Sequence, residues 1–190
     1  MDIMDIVDGV YNPKVKRHYS EDYQKSRWIE RLSEEIAALQ TPGFIYHATP
    51  LHKLEKVLQK GLSIIESSKQ DEQGKFLCLT EDLSSALYFA HHVQLWLSAQ
   101  KQIVGSVGMD LSKLPVQIKS QFSQDPMFTR RVITRRNIKP QYFGELILAD
   151  LEGNNVGLVE LAENFQRKYG LKVKPIDYDL GTRRFELRTT

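Results

Sequence analysis

Two periodicities take turns along this chain, and where they change marks out its elements. From Ser20 to Leu39 the apolar residues Tyr23, Trp28, Ile29, Leu32, Ile36 and Leu39 recur at near-helical spacing among glutamates and lysines. That spacing predicts an amphipathic helix, capped by Ser20 and stopped at Thr41-Pro42-Gly43. Phe44 to Thr49 then reads as a strand with Ile45, His47 and Thr49 on one face and Phe44, Tyr46 and Ala48 on the other. Leu51, Leu54, Val57 and Leu58 restore the helical period, with Thr49 expected as N-cap and Pro50 as the first helical residue. Gly61 suits a left-handed position just past that helix, with Leu62 folding back on its last turn.

Ser67 to Lys75 is polar and contains glycine, which predicts a loop before a short buried strand from Phe76 to Leu79. Thr80 is the expected cap of the next helix, whose stripe is Leu83, Ala86, Leu87, Ala90, Val93 and Leu97, with Glu81 and Asp82 at its positive end. Beyond Gln102 the pattern predicts strands over 103–109, 117–118, 131–134, 143–148 and 186–188, and a helix over 159–169. Asp2 to His18 mixes turn formers with lysines and reads as an irregular arm. Helices early and short strands late predict an α+β fold around a mixed or antiparallel sheet. Residues 1–42 form an N-terminal arm and helix, and 43–190 the main domain.

Composition narrows the function classes. The 190 residues, 41% hydrophobic and 26% charged, suit one substantial core. A net charge of +2 does not by itself announce nucleic acid. The charge is nevertheless clustered: Arg130, Arg131, Arg135, Arg136 and Lys139 lie in a stretch with no acid between Pro126 and Gly144, as a phosphate site requires and as a basic edge strand also would. Cys78 is the single cysteine, which excludes an intramolecular disulfide framework and fits a reducing compartment. The acidic start lacks a secretory pattern, and no apolar run reaches the roughly 18 residues of a membrane span. The expected setting is therefore the cytoplasm, or delivery by a specialised secretion system, with no membrane partner. No P-loop, dinucleotide GxGxxG or catalytic-triad spacing occurs, and no metal site is predicted, because adjacent His91 and His92 on a helix point about 100° apart.

Two short strings carry a resemblance. His47-Ala48-Thr49 on a strand followed by a helix ending at Gly61-Leu62, and Ser85-Ala86-Leu87-Tyr88 at the start of the next helix, resemble motifs of the ADP-ribosyltransferase superfamily, in the branch named for histidine, tyrosine and glutamate. The resemblance implies a split mixed β-sheet with a cleft for NAD as substrate. His47 and Thr49 would position the dinucleotide against the small Ala48, Ser85 would hold the carboxamide, Tyr88 would stack on nicotinamide, and Arg131 with its neighbours would bind phosphate. The glutamate motif is not matched: Ile138-Lys139-Pro140 is present, but Arg131 and its neighbours stand where the glutamate belongs, and Cys78 occupies a place where relatives carry tyrosine or histidine. Glu145 is the candidate replacement carboxylate. The implied activity is mono-ADP-ribosyl transfer from NAD to a macromolecular acceptor, protein or nucleic acid. The same residues also suit transfer of an RNA 2'-phosphate to NAD, for which the arginines argue, or a degenerate module that binds without turnover.

Overall fold

Alternation decides which way the first strand faces. The computed structural model describes residues 34–67, 70–71, 73–88, 90, 103–124, 131–151, 153, 157–179 and 184–188. The elements with named bounds are β1 (Phe44–Pro50), α1 (Leu51–Lys60), β2 (Gln70–Asp71), β3 (Gly74–Lys75), β4 (Leu77–Thr80), β5 (Val104–Asp110), α2 (Val116–Lys119), β6 (Ser123–Gln124), β7 (Arg131–Thr134), β8 (Phe143–Asp150), α3 (Leu158–Tyr169), β9 (Lys172–Asp179) and β10 (Arg184–Leu187). Residues 34–37 and 83–88 are also helical. The class is α+β, as expected.

Eight strands form one mixed sheet in the order β10-β9-β8-β5-β1-β4-β7-β6, and β2 with β3 makes a separate hairpin. Among the described strands only β8 and β9 pair in parallel, and α3 provides the crossover that a parallel pair requires. The two faces bury different residues. On one face Ile45, Val107, Met109, Leu146, Leu148 and Val173 pack with Leu54 and Leu58 of α1 and with Ala162 and Phe165 of α3. On the other, Tyr46, Val104, Ile147, Ala149 and Ile176 pack with Ile36 and with Leu83, Leu87 and Ala90. Each fully buried leucine or isoleucine contributes about 1.5–3 kcal/mol of burial, so the sheet is clamped from both sides.

Pairing is uneven across this sheet. β1 and β5 match at seven register positions, from Phe44↔Asp110 to Pro50↔Val104. Between β1 and β4 the register is the one pair Tyr46↔Thr80. The sheet is therefore weakly joined at the strand that carries His47.

Several boundaries differ from expectation for local reasons. Thr49 does not cap α1: it stays in the β1 ladder opposite Gly105, and Pro50 is the N-cap, with no side-chain bond. Thr80 does not cap the helix at 83 either. Its Oγ1 accepts the Asp82 N–H, and Asp82 takes the capping role by accepting the Ser84 N–H at 3.1 Å. Residues 117–118 are helical within α2, which closes on Pro115 through the amides of Ile118 and Lys119. Part of the expected 67–75 loop is the β2–β3 hairpin. β9 was not expected at all, because Lys172, Lys174 and Pro175 break the apolar alternation. Gly61 has the expected positive φ, 85°, but its ψ of −175° is extended rather than left-handed helical, and a Cβ there would lie 2.1 Å from the Ile138 carbonyl oxygen. Leu62 folds back onto Ile138, exchanging two backbone hydrogen bonds with it.

The expected helix over 20–39 is described only from residue 34, where Ile36 is fully buried. The arm before it, His91, His92, Val93, Leu97, Arg130 and the side chain of Arg131 lie outside the described residues.

Candidate functional site

His47 is presented by β1 on the face that α1 covers, alternating with Tyr46 and Ala48. Its Nδ1 is 2.9 Å from the Cys78 carbonyl oxygen. A carbonyl only accepts, so Nδ1 carries the proton and Nε2 holds the free lone pair of a neutral ring. Burial pulls the imidazole pKa below its ordinary value, and the bond to Cys78 offsets part of that pull. This bond crosses from β1 to β4 just beyond Tyr46↔Thr80, so a side chain joins the strands where the ladder gives out. Among the described residues Nε2 has no hydrogen-bond partner. Chemically it is an acceptor suited to a hydroxyl.

The other residues of the resemblance are distributed differently. Thr49 shares the face of His47 but is only 6% exposed, which closes it to a ligand. Ala48 points to the opposite face and packs against the second core. Tyr88 is half-buried against that same second core. Ser85 is exposed, and its hydroxyl donates to Asp82 Oδ2 at 2.6 Å. Burial is the largest influence on Asp82 and raises its pKa, but the bonds from Ser84 and Ser85 together outweigh it and leave the carboxyl below its ordinary range. His47 and Thr49 thus lie on one side of the sheet, and the helix bearing Ser85 and Tyr88 on the other. A ligand lying on either face of the sheet alone meets one set and not the other.

Glu145 lies on the face of the helix bearing Ser85 and Tyr88, not on that of His47. It pairs with Gly108 on β5 and projects to the second face, where it is 2% exposed. A Cβ on Gly108 would lie 2.8 Å from Glu145 Cγ and 2.9 Å from Tyr46 Cε1, so the missing side chain makes room for both. Tyr46 Oη donates to Glu145 Oε1 at 2.9 Å. Thr41 Oγ1 donates to Oε2 at 2.8 Å, and Lys174 Nζ stands 2.9 Å from the same oxygen. Lys174 also reaches Thr41 Oγ1 at 2.7 Å and the Leu39 carbonyl at 3.3 Å. Burial raises the Tyr46 pKa far above its ordinary value; the bond with the Thr41 backbone opposes this and the Glu145 charge adds to it. The carboxylate ties β8, β9, β1 and the 39–41 turn together, and both of its oxygens are in use.

No family model matches this chain, and no curated protein matches it. The functional reading therefore rests on the two sequence motifs and on where the structure puts their residues.

Of the expected arginine cluster, Arg135 follows the end of β7 and is half-buried. Its Nη1 donates to the Gly74 carbonyl at 2.9 Å and its guanidinium lies 5.6 Å from the Phe76 ring centroid. Arg136 and Lys139 are exposed. Among the described residues no group of three or more His, Cys, Asp or Glu is placed to hold a metal ion, and no described helix is long and apolar enough to cross a membrane. Thr41, Tyr46 and Lys174, the partners of Glu145, were not singled out from sequence. Only the parallel register of β8 and β9 brings Lys174 beside it.

Proposed function

We propose that this chain binds NAD at the seam between β1 and β4, as a degenerate module of the ADP-ribosyltransferase type rather than a transferase. The observation that carries the choice is Glu145, buried on the face opposite His47 with Tyr46, Thr41 and Lys174 on its oxygens. Ribosyl transfer from NAD passes through a developing cation that needs a carboxylate nearby. A carboxylate neutralised by a lysine ammonium, with both oxygens already bonded, is not free to supply it. The support for binding is His47, whose neutral ring is oriented by Cys78 and offers Nε2 to a ribose hydroxyl. Tyr88 would supply the aromatic face for the pyridinium.

Two measurements test this reading. Calorimetric titration with NAD should show binding that weakens at least about 10-fold in His47→Asn and Tyr88→Ala, the equivalent of about 1.4 kcal/mol. Incubation with labelled NAD and a cell extract should leave protein and nucleic acid unlabelled. Label transfer that disappears in Glu145→Gln would restore the transferase reading, and absence of NAD binding would remove the dinucleotide altogether.

A further inference from the structure

We propose that the surface where residues 60–66, 73–76 and 135–139 meet binds the sugar-phosphate backbone of single-stranded nucleic acid. The proposal does not depend on NAD binding. Hydrogen bonds lock the three segments together. Leu62 and Ile138 exchange backbone bonds of 2.8 and 2.9 Å, and the Ile64 N–H donates to Asn137 Oδ1 at 2.9 Å. Lys75 Nζ donates to the Ile65 carbonyl at 2.7 Å, and Arg135 holds the Gly74 carbonyl. Loops tied this way are already ordered before a ligand arrives, so binding costs less in lost freedom.

The joined surface is basic. Residues 60–66, 73–76 and 135–139 hold five lysines and arginines against one acid, a local excess larger than the net charge of +2 on the whole chain. That acid, Glu66, is already paired with Lys56 at 2.8 Å. Lys60, Arg136 and Lys139 are exposed, with no side-chain partner among the described residues. Gly61 brings the Lys60 end of α1 against the Ile138–Lys139 backbone, which makes neighbours of cations far apart in sequence.

Apolar groups lie within the same surface. Ile65 is 77% exposed, and Phe76 is half-buried with the Arg135 guanidinium over its ring. Cations spread across three segments match a run of phosphates, whereas a single phosphopeptide group calls for arginines converging on one point. Interleaved aromatic and aliphatic surface gives bases something to pack on. One exposed isoleucine is too little for insertion into a bilayer, which needs a continuous apolar face.

The test is fluorescence anisotropy of a labelled single-stranded oligonucleotide across a salt series, with no NAD present. At about 50 mM salt the wild-type protein should bind, and Lys60→Glu/Arg136→Glu/Lys139→Glu should bind at least about 10-fold more weakly. The slope of log affinity on log salt should fall by about 2, at roughly 0.7 per single-strand phosphate lost. Arg184→Glu, an exposed residue on β10 at the opposite edge of the sheet from β6 and β7, should stay within about twofold of wild type in the same salt series. Melting curves check the fold, and if the triple variant melts early, Lys60→Ala/Lys139→Ala decides by the same slope. Absence of wild-type binding, an equal loss in Arg184→Glu, or binding to phosphatidylserine vesicles that the oligonucleotide does not displace would overturn the proposal.

Discussion

Replacing Lys174 by methionine keeps most of the side-chain volume and removes one charge from the buried cluster. At 2.9 Å the gross attraction between Lys174 and Glu145 is roughly 6 kcal/mol at an effective dielectric constant of 20, and desolvation of the two ions offsets most of it. The variant loses the attraction but still pays the desolvation of Glu145. The side chains are only 12% and 3% exposed, so water cannot step in as the partner. Removing one member of such a pair costs about 3–5 kcal/mol. For a chain of this size that lowers the melting temperature by roughly 6–20 °C. Urea unfolding followed by far-ultraviolet circular dichroism measures it. Glu145→Gln/Lys174→Met should recover a large part, because the glutamine keeps an acceptor for Tyr46 and a donor for Thr41 without a charge. A single variant within about 1 kcal/mol of wild type, or a double variant no better than the single, would refute the assignment of Glu145 to a structural ion pair.

Three further outcomes follow from other parts of the fold. Gly61→Ala should destabilise by more than about 1 kcal/mol, since φ is 85° and the new Cβ meets the Ile138 carbonyl; a shift in urea midpoint at constant slope reads it. Asp82→Ala should cost about 1 kcal/mol through the lost cap of the helix at 83, with Asp82→Asn or Asp82→Ser recovering most of it in the same assay. His47 binds its proton less readily folded than unfolded, so below about pH 6.5 the unfolded chain takes up the proton and stability falls as pH falls, by at most about 1.4 kcal/mol per pH unit. Urea midpoints at pH 7.5 and 5.5 should therefore separate more in wild type than in His47→Asn, and equal separation would show that the imidazole is not held neutral.

The elements that were legible in the sequence share one property: a stripe that repeats and is buried on one side. Leu54 and Leu58 in α1, Leu83 and Leu87 in the following helix, and Leu158 and Phe165 in α3 are all in the cores. β7 and the start of β8 fall at the expected residues. β9 was hidden because its inward charge is neutralised only in three dimensions, by a carboxylate 29 residues earlier. Capping was misplaced by one or two residues for a similar reason. Thr49 and Thr80 are good capping types, but each is held in a strand, and the helices begin only after Pro50, the last residue of β1, and after Asp82.

The candidate site was legible only as residue types, and strand parity determines what those types can do together. Alternation along β1 correctly puts His47 opposite in sense to Tyr46 and Ala48. The orientation of Glu145 depends on a second fact, the β5–β8 register with its irregularity between Gly108 and Met109. A bulge changes which residues oppose one another, and a slip of one residue exchanges the faces of a strand. As paired, Glu145 opposes Gly108 and shares a face with Tyr46, while Leu146 opposes Val107 and shares the face of His47. A carboxylate at position 146 would share the face of His47, and at 145 it meets Lys174 of β9. One residue of register thus decides which partners the carboxylate meets, and no local pattern around Gly144-Glu145-Leu146 records that difference.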